Sequence, residues 1–211
     1  MPLNYPNNNL LAKRFRGFLP VVTDIETSGL NPGTNALLEL ASIITVFDEN
    51  QQLVPAETYH YHILPFDGAK LDESSLKFTG ITDPFHPLRF AISEEKMLKD
   101  LFEHIHNACQ LHGCERAVLV GHNPTFDLNF LQAACERHNI KKSPFHRFTT
   151  FDTATLSALV YGQTVLAKAL NKANLGYDAE QAHSALYDAS QTARLFCGIV
   201  NKWKELENFM K

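Results

Sequence analysis

Apolar residues fall into two periods along the chain, and the change from one to the other divides it in half. From about Leu19 to Glu26, Leu37 to Phe47 and Thr58 to Leu64, runs rich in Val, Ile, Thr and aromatics are separated by Gly, Pro and Asn, a pattern that predicts three successive strands. The segment Ser93 to His112 then repeats Met97, Leu98, Leu101, Phe102 and Ile105 at helical spacing, behind a Ser suited to the N-cap and acids in the first turn. Ala117 to Val120 is a short buried-type strand. It runs into Asn123-Pro124, which predicts an N-cap and first-turn proline for a helix carrying Phe126, Phe130, Leu131 and Ala134. Shorter helices are expected over Thr153 to Tyr161 and Gln163 to Ala173. A last helix is expected over Ser184 to Trp203, with Ala185, Ala189, Ala193, Phe196, Val200 and Trp203 on its packing face.

Three leading strands, a later strand between helices and a helical second half predict a mixed α/β sheet flanked by helices. At 211 residues, with no linker-like stretch or internal repeat, one domain is expected. It would be divided into a basic N-terminal segment 1–18, a body 19–203 and a short tail 204–211. An apolar share of 45% and a charged share of 20% suit a soluble enzyme-sized unit, and no apolar run reaches membrane-spanning length. Met1 to Leu11 carries Pro and several Asn instead of a basic-then-apolar leader, so a cytoplasmic protein is expected. Cys109, Cys114, Cys135 and Cys197 lack the close pairing of a zinc site and are expected as thiols.

The candidate chemistry lies in three places. Asp24 and Glu26 stand two apart at the end of the first strand, so both side chains share a face. Two adjacent carboxylates repel unless a cation lies between them, and a hard divalent ion is the natural partner. Asp127 falls in the first turns of its helix, where a helix-dipole role is the plainer reading. His183 and Asp188 flank the start of the last helix, and in isolation they would be a surface His beside an N-cap Ser. Tyr59-His60-Tyr61-His62 and His104-Ile105-His106 invite a metal reading, but alternation on a strand and one helix face account for them, and no function is assigned.

The ordered set Asp24-x-Glu26, His-Asn-x-x-Phe-Asp ending at Asp127, and His-x-Ala-x-x-Asp ending at Asp188 resembles the three motifs of the DEDDh exonuclease family. The resemblance spans Val21 to Asp188. It implies a ribonuclease-H-like fold and two Mg²⁺ ions, or Mn²⁺, held by Asp24, Glu26, Asp127 and Asp188. It also implies that His183 takes the proton from the attacking water, a role suited to an imidazole.

Further stretches resemble the RNA-trimming members of that family: Arg14-Phe15-Arg16-Gly17-Phe18, Phe78-x-Gly80-Ile81, Pro144-Phe145-His146-x-Phe148, Phe151-Asp152-Thr153-Ala154 and Gly162-Gln163-Thr164-Val165-Leu166. They imply trimming of 3′ ends of transfer RNA and other stable RNAs, with activity on single-stranded DNA. They imply as well a homodimer in which a basic patch of Arg14, Arg16, Arg116, Lys141 and Lys142 presents RNA to the partner's carboxylates. Phe78, Phe126 and Phe148 match positions that stack terminal bases, while Leu30 stands where such members carry another phenylalanine. A net charge of −4 is compatible with a polyanion substrate: with four carboxylates set against metal ions, the 19 remaining acids match the 19 Lys and Arg. A DNA-directed proofreading or repair exonuclease, and an inactive RNA-binding module, are the alternatives to RNA trimming.

Overall fold

The computed structural model describes residues 9–210. The first eight residues, which hold most of Met1–Leu11 and the start of the expected segment 1–18, and Lys211 of the expected tail, lie outside the described residues. In chain order the elements are α1 (Leu10–Arg14), β1 (Phe18–Thr27), β2 (Leu37–Phe47), β3 (Leu53–Leu64), α2 (Glu73–Thr79), a 3₁₀ turn at Pro87–Arg89, β4 (Ile92–Ser93) and α3 (Glu94–Leu111). There follow β5 (Arg116–Gly121), α4 (Thr125–Arg137), β6 (Phe145–Asp152), α5 (Thr153–Tyr161), α6 (Leu166–Lys172) and α7 (Ala185–Phe209).

The strands form one mixed sheet in the order β4-β3-β2-β1-β5-β6. β1, β2 and β3 are antiparallel neighbours, whereas β5 runs parallel to β1 and β6 parallel to β5. Every residue of β2 is buried, as a strand covered on both faces requires. α7 packs across β1, β2 and β3, and α3 packs against the same strands. On α7 the buried Ala185, Ala189 and Ala193 recur every four residues, and these small side chains let the helix lie close to the sheet. Phe130 and Phe196 are among the largest fully buried side chains, and truncation of either to Ala is expected to destabilise by roughly 3–5 kcal/mol.

The periodic reading matches β2 and α5 in both bounds and α3 to within a residue at each end. Elsewhere it needs correction. The sheet has six strands where four were expected, because β6 and the two-residue β4 escaped notice. β3 begins at Leu53, ahead of Thr58, and α6 begins at Leu166, after Gln163. Among the described residues the first element is a helix, and Leu11 of α1 belongs to the main core, so the described part of the basic segment packs against the body. α7 continues past Trp203 to Phe209, and the expected boundary at residue 203 falls inside it. The α4 N-cap is Pro124, while Asn123 takes a left-handed φ of 66° and donates its backbone N–H to Asp152 at 3.0 Å.

Candidate active site

β1 sits in the middle of the sheet, and its C-terminal half presents Asp24 and Glu26 on one face. Asp127 reaches the same place from the first turn of α4, and Asp188 from the first turn of α7. Parallel pairing of β1 with β5 brings these elements together, since β5 leads directly into the loop before α4. That loop must turn tightly: a Cβ at Gly121 would meet Pro124 Cβ at 3.0 Å and the Thr23 carbonyl oxygen at 3.4 Å. His122 stabilises the turn, with Nδ1 on the Thr153 hydroxyl at 3.0 Å and Nε2 on the Thr164 carbonyl at 2.7 Å. Both ring nitrogens are thus engaged in holding α5 and its following loop.

The fifth motif residue, His183, is exposed on the loop before α7. Its backbone is left-handed (φ 65°), a conformation uncommon for a residue with a side chain, and its N–H donates to Asp188 Oδ2 at 2.9 Å. The imidazole packs against Phe78 with centroids 4.0 Å apart. Donor atoms of Glu26, His183 and Asp188 all lie within 4.8 Å of one another. The Tyr177 hydroxyl donates to Asp188 Oδ1 at 3.5 Å.

Asp24, Glu26, His183 and Asp188 line a cleft of about 300 Å³, with Leu30, Phe78 and Phe126 on its walls, and Asp127 is buried beside them. Leu30 is 81% exposed and Phe78 65%, so apolar surface faces solvent beside buried carboxylates. The lip is anchored by Asn35, whose Nδ2 donates to the Ser28 and Lys70 carbonyls and to Asp72 Oδ2, joining the end of β1 to the start of α2. Only glycine fits at position 29, because a Cβ there would fall 2.2 Å from both Asn35 Nδ2 and Asp72 Oδ2.

Burial and neighbouring negative charge together raise the proton affinity of these carboxylates. Burial, then Asp127, Asp188, Glu26 and Glu39, raise Asp24 well above the usual carboxylate range. Burial, then Glu39, Asp188 and Asp127, push Glu26 up to about 8. Asp127 is raised by burial against its own backbone hydrogen bond and that of Ile25. Asp188 is raised chiefly by burial, with the His183 N–H, the His183 charge and the Tyr177 hydroxyl opposing. Two carboxylates about 4–5 Å apart repel by on the order of 3 kcal/mol at an effective dielectric of about 20. Side-chain donors alone do not offset several such terms, whereas a hard divalent cation with oxygen ligands does.

The other expected residues lie elsewhere. Arg14 and Arg16 are exposed and border an apolar groove of about 510 Å³ between Phe15, Phe18, Phe151, Phe196 and Trp203. Arg14 also lies 3.6 Å from Glu207 of α7. Arg116 and Lys141 line a depression with Arg147 beside α4 and β6, and Lys142 is exposed next to it. Phe148 is 80% exposed on β6, with the Arg147 guanidinium 5.6 Å from its ring centroid, and is not among the cleft residues. One chain therefore brings together the four carboxylates, His183, Phe78, Phe126 and Leu30, and leaves the basic residues and Phe148 apart.

The sequence reading passed over Glu39 and Tyr177. Glu39 carried a visible signal, as the one charged residue in the largely apolar run Leu37–Phe47. Tyr177 carried none.

Comparison with known proteins agrees with this geometry. Residues 21–196 match the family model described as an exonuclease. Ribonuclease T of Vibrio campbellii is 56% identical over 196 residues, covering 93% of this chain and 92% of that protein. Ribonuclease T of Vibrio cholerae is 53% identical over the same span, covering 93% and 88%. Among solved structures, the nuclease domain of 3′hExo, a DEDDh family member bound to rAMP, superposes with a TM-score of 0.69 at 19% identity, covering 87% of this chain and 92% of that one. E. coli exonuclease I in complex with a dT13 oligonucleotide gives 0.68 at 15% identity, covering 91% and 43%. The fold is thus the ribonuclease-H-like fold of the DEDDh exonucleases, and the chain belongs to the ribonuclease T family within them.

Proposed function

We propose that this chain trims the 3′ ends of transfer RNA and other stable RNAs, and of single-stranded DNA, as a homodimer in the cytoplasm. Membership of the ribonuclease T family makes it a metal-dependent 3′→5′ exoribonuclease, and the finer reading builds on that. The observation that carries it is the convergence of Asp24, Glu26, Asp127 and Asp188 with His183 in a cleft walled by exposed phenylalanines.

The donor set fits hard divalent ions: four carboxylates, Glu26 and Asp127 buried and Asp24 and Asp188 half-buried, destabilised when ionised. Asp24, Glu26, Asp127 and Asp188 would hold two Mg²⁺ or Mn²⁺ ions, with no soft ligand to favour zinc or copper. When bound, such a pair stabilises negative charge on the attacking and leaving oxygens of phosphodiester hydrolysis. His183 is exposed at the cleft edge and accepts the proton of the attacking water. Its backbone N–H on Asp188 couples its loop to one of the metal-holding carboxylates.

Phe78 and Phe126 provide faces on which terminal bases stack without their edges being read, so any base is admitted. Leu30 supplies a branched aliphatic surface at the third wall, where stacking is absent, and grip on the end nucleotide is correspondingly weaker. Arg14, Arg16, Arg116, Lys141 and Lys142 lie outside the cleft, so they serve RNA best by presenting it to a second subunit. Phe148 belongs with this presenting surface.

The test is incubation of the purified protein with 3′-labelled uncharged transfer RNA and single-stranded DNA of matched length in Mg²⁺. Removal of nucleotides from the transfer RNA end supports the proposal. Trimming of DNA alone would move the chain to a proofreading or repair role, and binding without trimming would make it a binding module.

A further inference from the structure

A row of polar side chains runs sideways out of the cleft across the sheet. Glu26 on β1 is the register partner of Glu39 on β2, and Glu39 is the partner of His62 on β3. Two residues along, Asp24 pairs with Ala41, and Ala41 with His60. Register partners and side chains two apart on a strand share a face, so Glu39, one strand out from β1, and His60 and His62, two strands out, sit on the carboxylate face. Glu39 Oε1 lies 2.8 Å from His60 Nε2, and one donor atom from each of Glu39, His60 and His62 falls within 4.8 Å of the others. Glu39 is buried, while the His60 side chain keeps 28% of its exposure, which leaves an approach from solvent. Nδ1 of His62 is buried and makes no hydrogen bond among the described residues, a loss of about 1–3 kcal/mol if nothing compensates. A Glu39–His60 hydrogen bond accounts for two of these side chains and leaves His62 unexplained.

We propose that Glu39, His60 and His62 form a site for a borderline-soft divalent ion, Zn²⁺ first among them, separate from the four-carboxylate site. Two imidazoles and one carboxylate are a donor set that zinc accepts as three protein ligands with an open position. Mg²⁺ favours oxygen donors, so the two sites select different ions. Glu39 is also held by a backbone hydrogen bond from Leu186. Leu186 lies in the first turn of α7 with Asp188, so an ion on Glu39 ties β2 and β3 to the helix that carries a catalytic carboxylate. The proposal does not rest on the RNA-trimming reading.

The test uses the full chain in excess Mg²⁺, titrated with ZnCl₂, desalted and assayed for bound zinc, with the melting temperature followed in parallel. Wild type is expected to retain one more zinc per chain than His60→Ala or His62→Phe, and to gain a zinc-dependent rise in Tm that both variants lose. Asp24→Asn is expected to keep that zinc. Equal zinc in wild type and His60→Ala would overturn the site, as would loss of the zinc in Asp24→Asn alone, which would assign it to the carboxylates. His60 is the more exposed of the two histidines, so the His60→Ala comparison decides the matter even if His62→Phe does not fold.

Discussion

The ring of Phe78 packs on the ring of His183, with centroids 4.0 Å apart and planes inclined at 46°. A residue proposed to stack a terminal base thus also orients the group proposed to take the proton, and the pair joins α2 to the loop before α7. His183→Ala is expected to lower kcat by roughly 10²–10⁴-fold while RNA still binds. Single-turnover cleavage beside a binding isotherm separates the two effects, and near wild-type turnover would remove His183 from the chemistry.

The carboxylate cluster makes stability in chelator depend on pH in an unusual direction. Glu26 is raised from 4.5 to about 8, chiefly by burial and then by Glu39, Asp188 and Asp127. Between those values the folded chain holds a proton that the unfolded chain has released, so stability falls as pH rises. Half-buried His62 and buried His112 are both lowered from 6.5, chiefly by desolvation, and act with the opposite sign, but only below that value. Urea unfolding in chelator at about pH 7 and about pH 8.5 is therefore expected to show a lower midpoint at the higher pH. Mg²⁺ should abolish most of the difference. A midpoint that rises with pH in chelator would contradict the cluster's electrostatics.

Because Arg14 and Arg16 border a groove away from the cleft, the homodimer reading makes them act on the partner's substrate. The double change Arg14→Ala, Arg16→Ala is expected to weaken RNA binding and flatten its dependence on salt. Mixing this variant with Asp127→Asn supplies one intact patch and one intact cleft on different subunits. If the patch serves the partner, subunit exchange restores trimming. If each patch serves its own cleft, the mixture stays inactive.

What could be read from sequence followed how local each signal was. β2 and α5 match because the apolar run of the one and the Asp152-to-Gly162 punctuation of the other are complete within a few residues. β6 was missed because it pairs on one side only, and its mixed Phe, His, Arg and Thr residues alternate poorly in burial. α2 was missed because none of its residues is buried, so no apolar face marks it. The end of α7 lay beyond reach for a similar reason, since Trp203 and Leu206 are exposed and the packing period stops before the helix does. In the site, alternation placed Asp24 and Glu26 on one face, but Asp127 and Asp188 joined them only through the motif resemblance. Glu39 beside Glu26 depends on the β1–β2 register, which only the fold supplies.

The central claim is that buried carboxylates act through divalent metal at a 3′ end. The most direct measurement follows 5′-labelled single-stranded RNA on a sequencing gel with wild type and Asp127→Asn, each in Mg²⁺ and in chelator. Wild type in Mg²⁺ alone is expected to give a ladder shortening one nucleotide at a time from the 3′ end, with intact RNA in the other three lanes. Comparable trimming by Asp127→Asn, or by wild type in chelator, would contradict it.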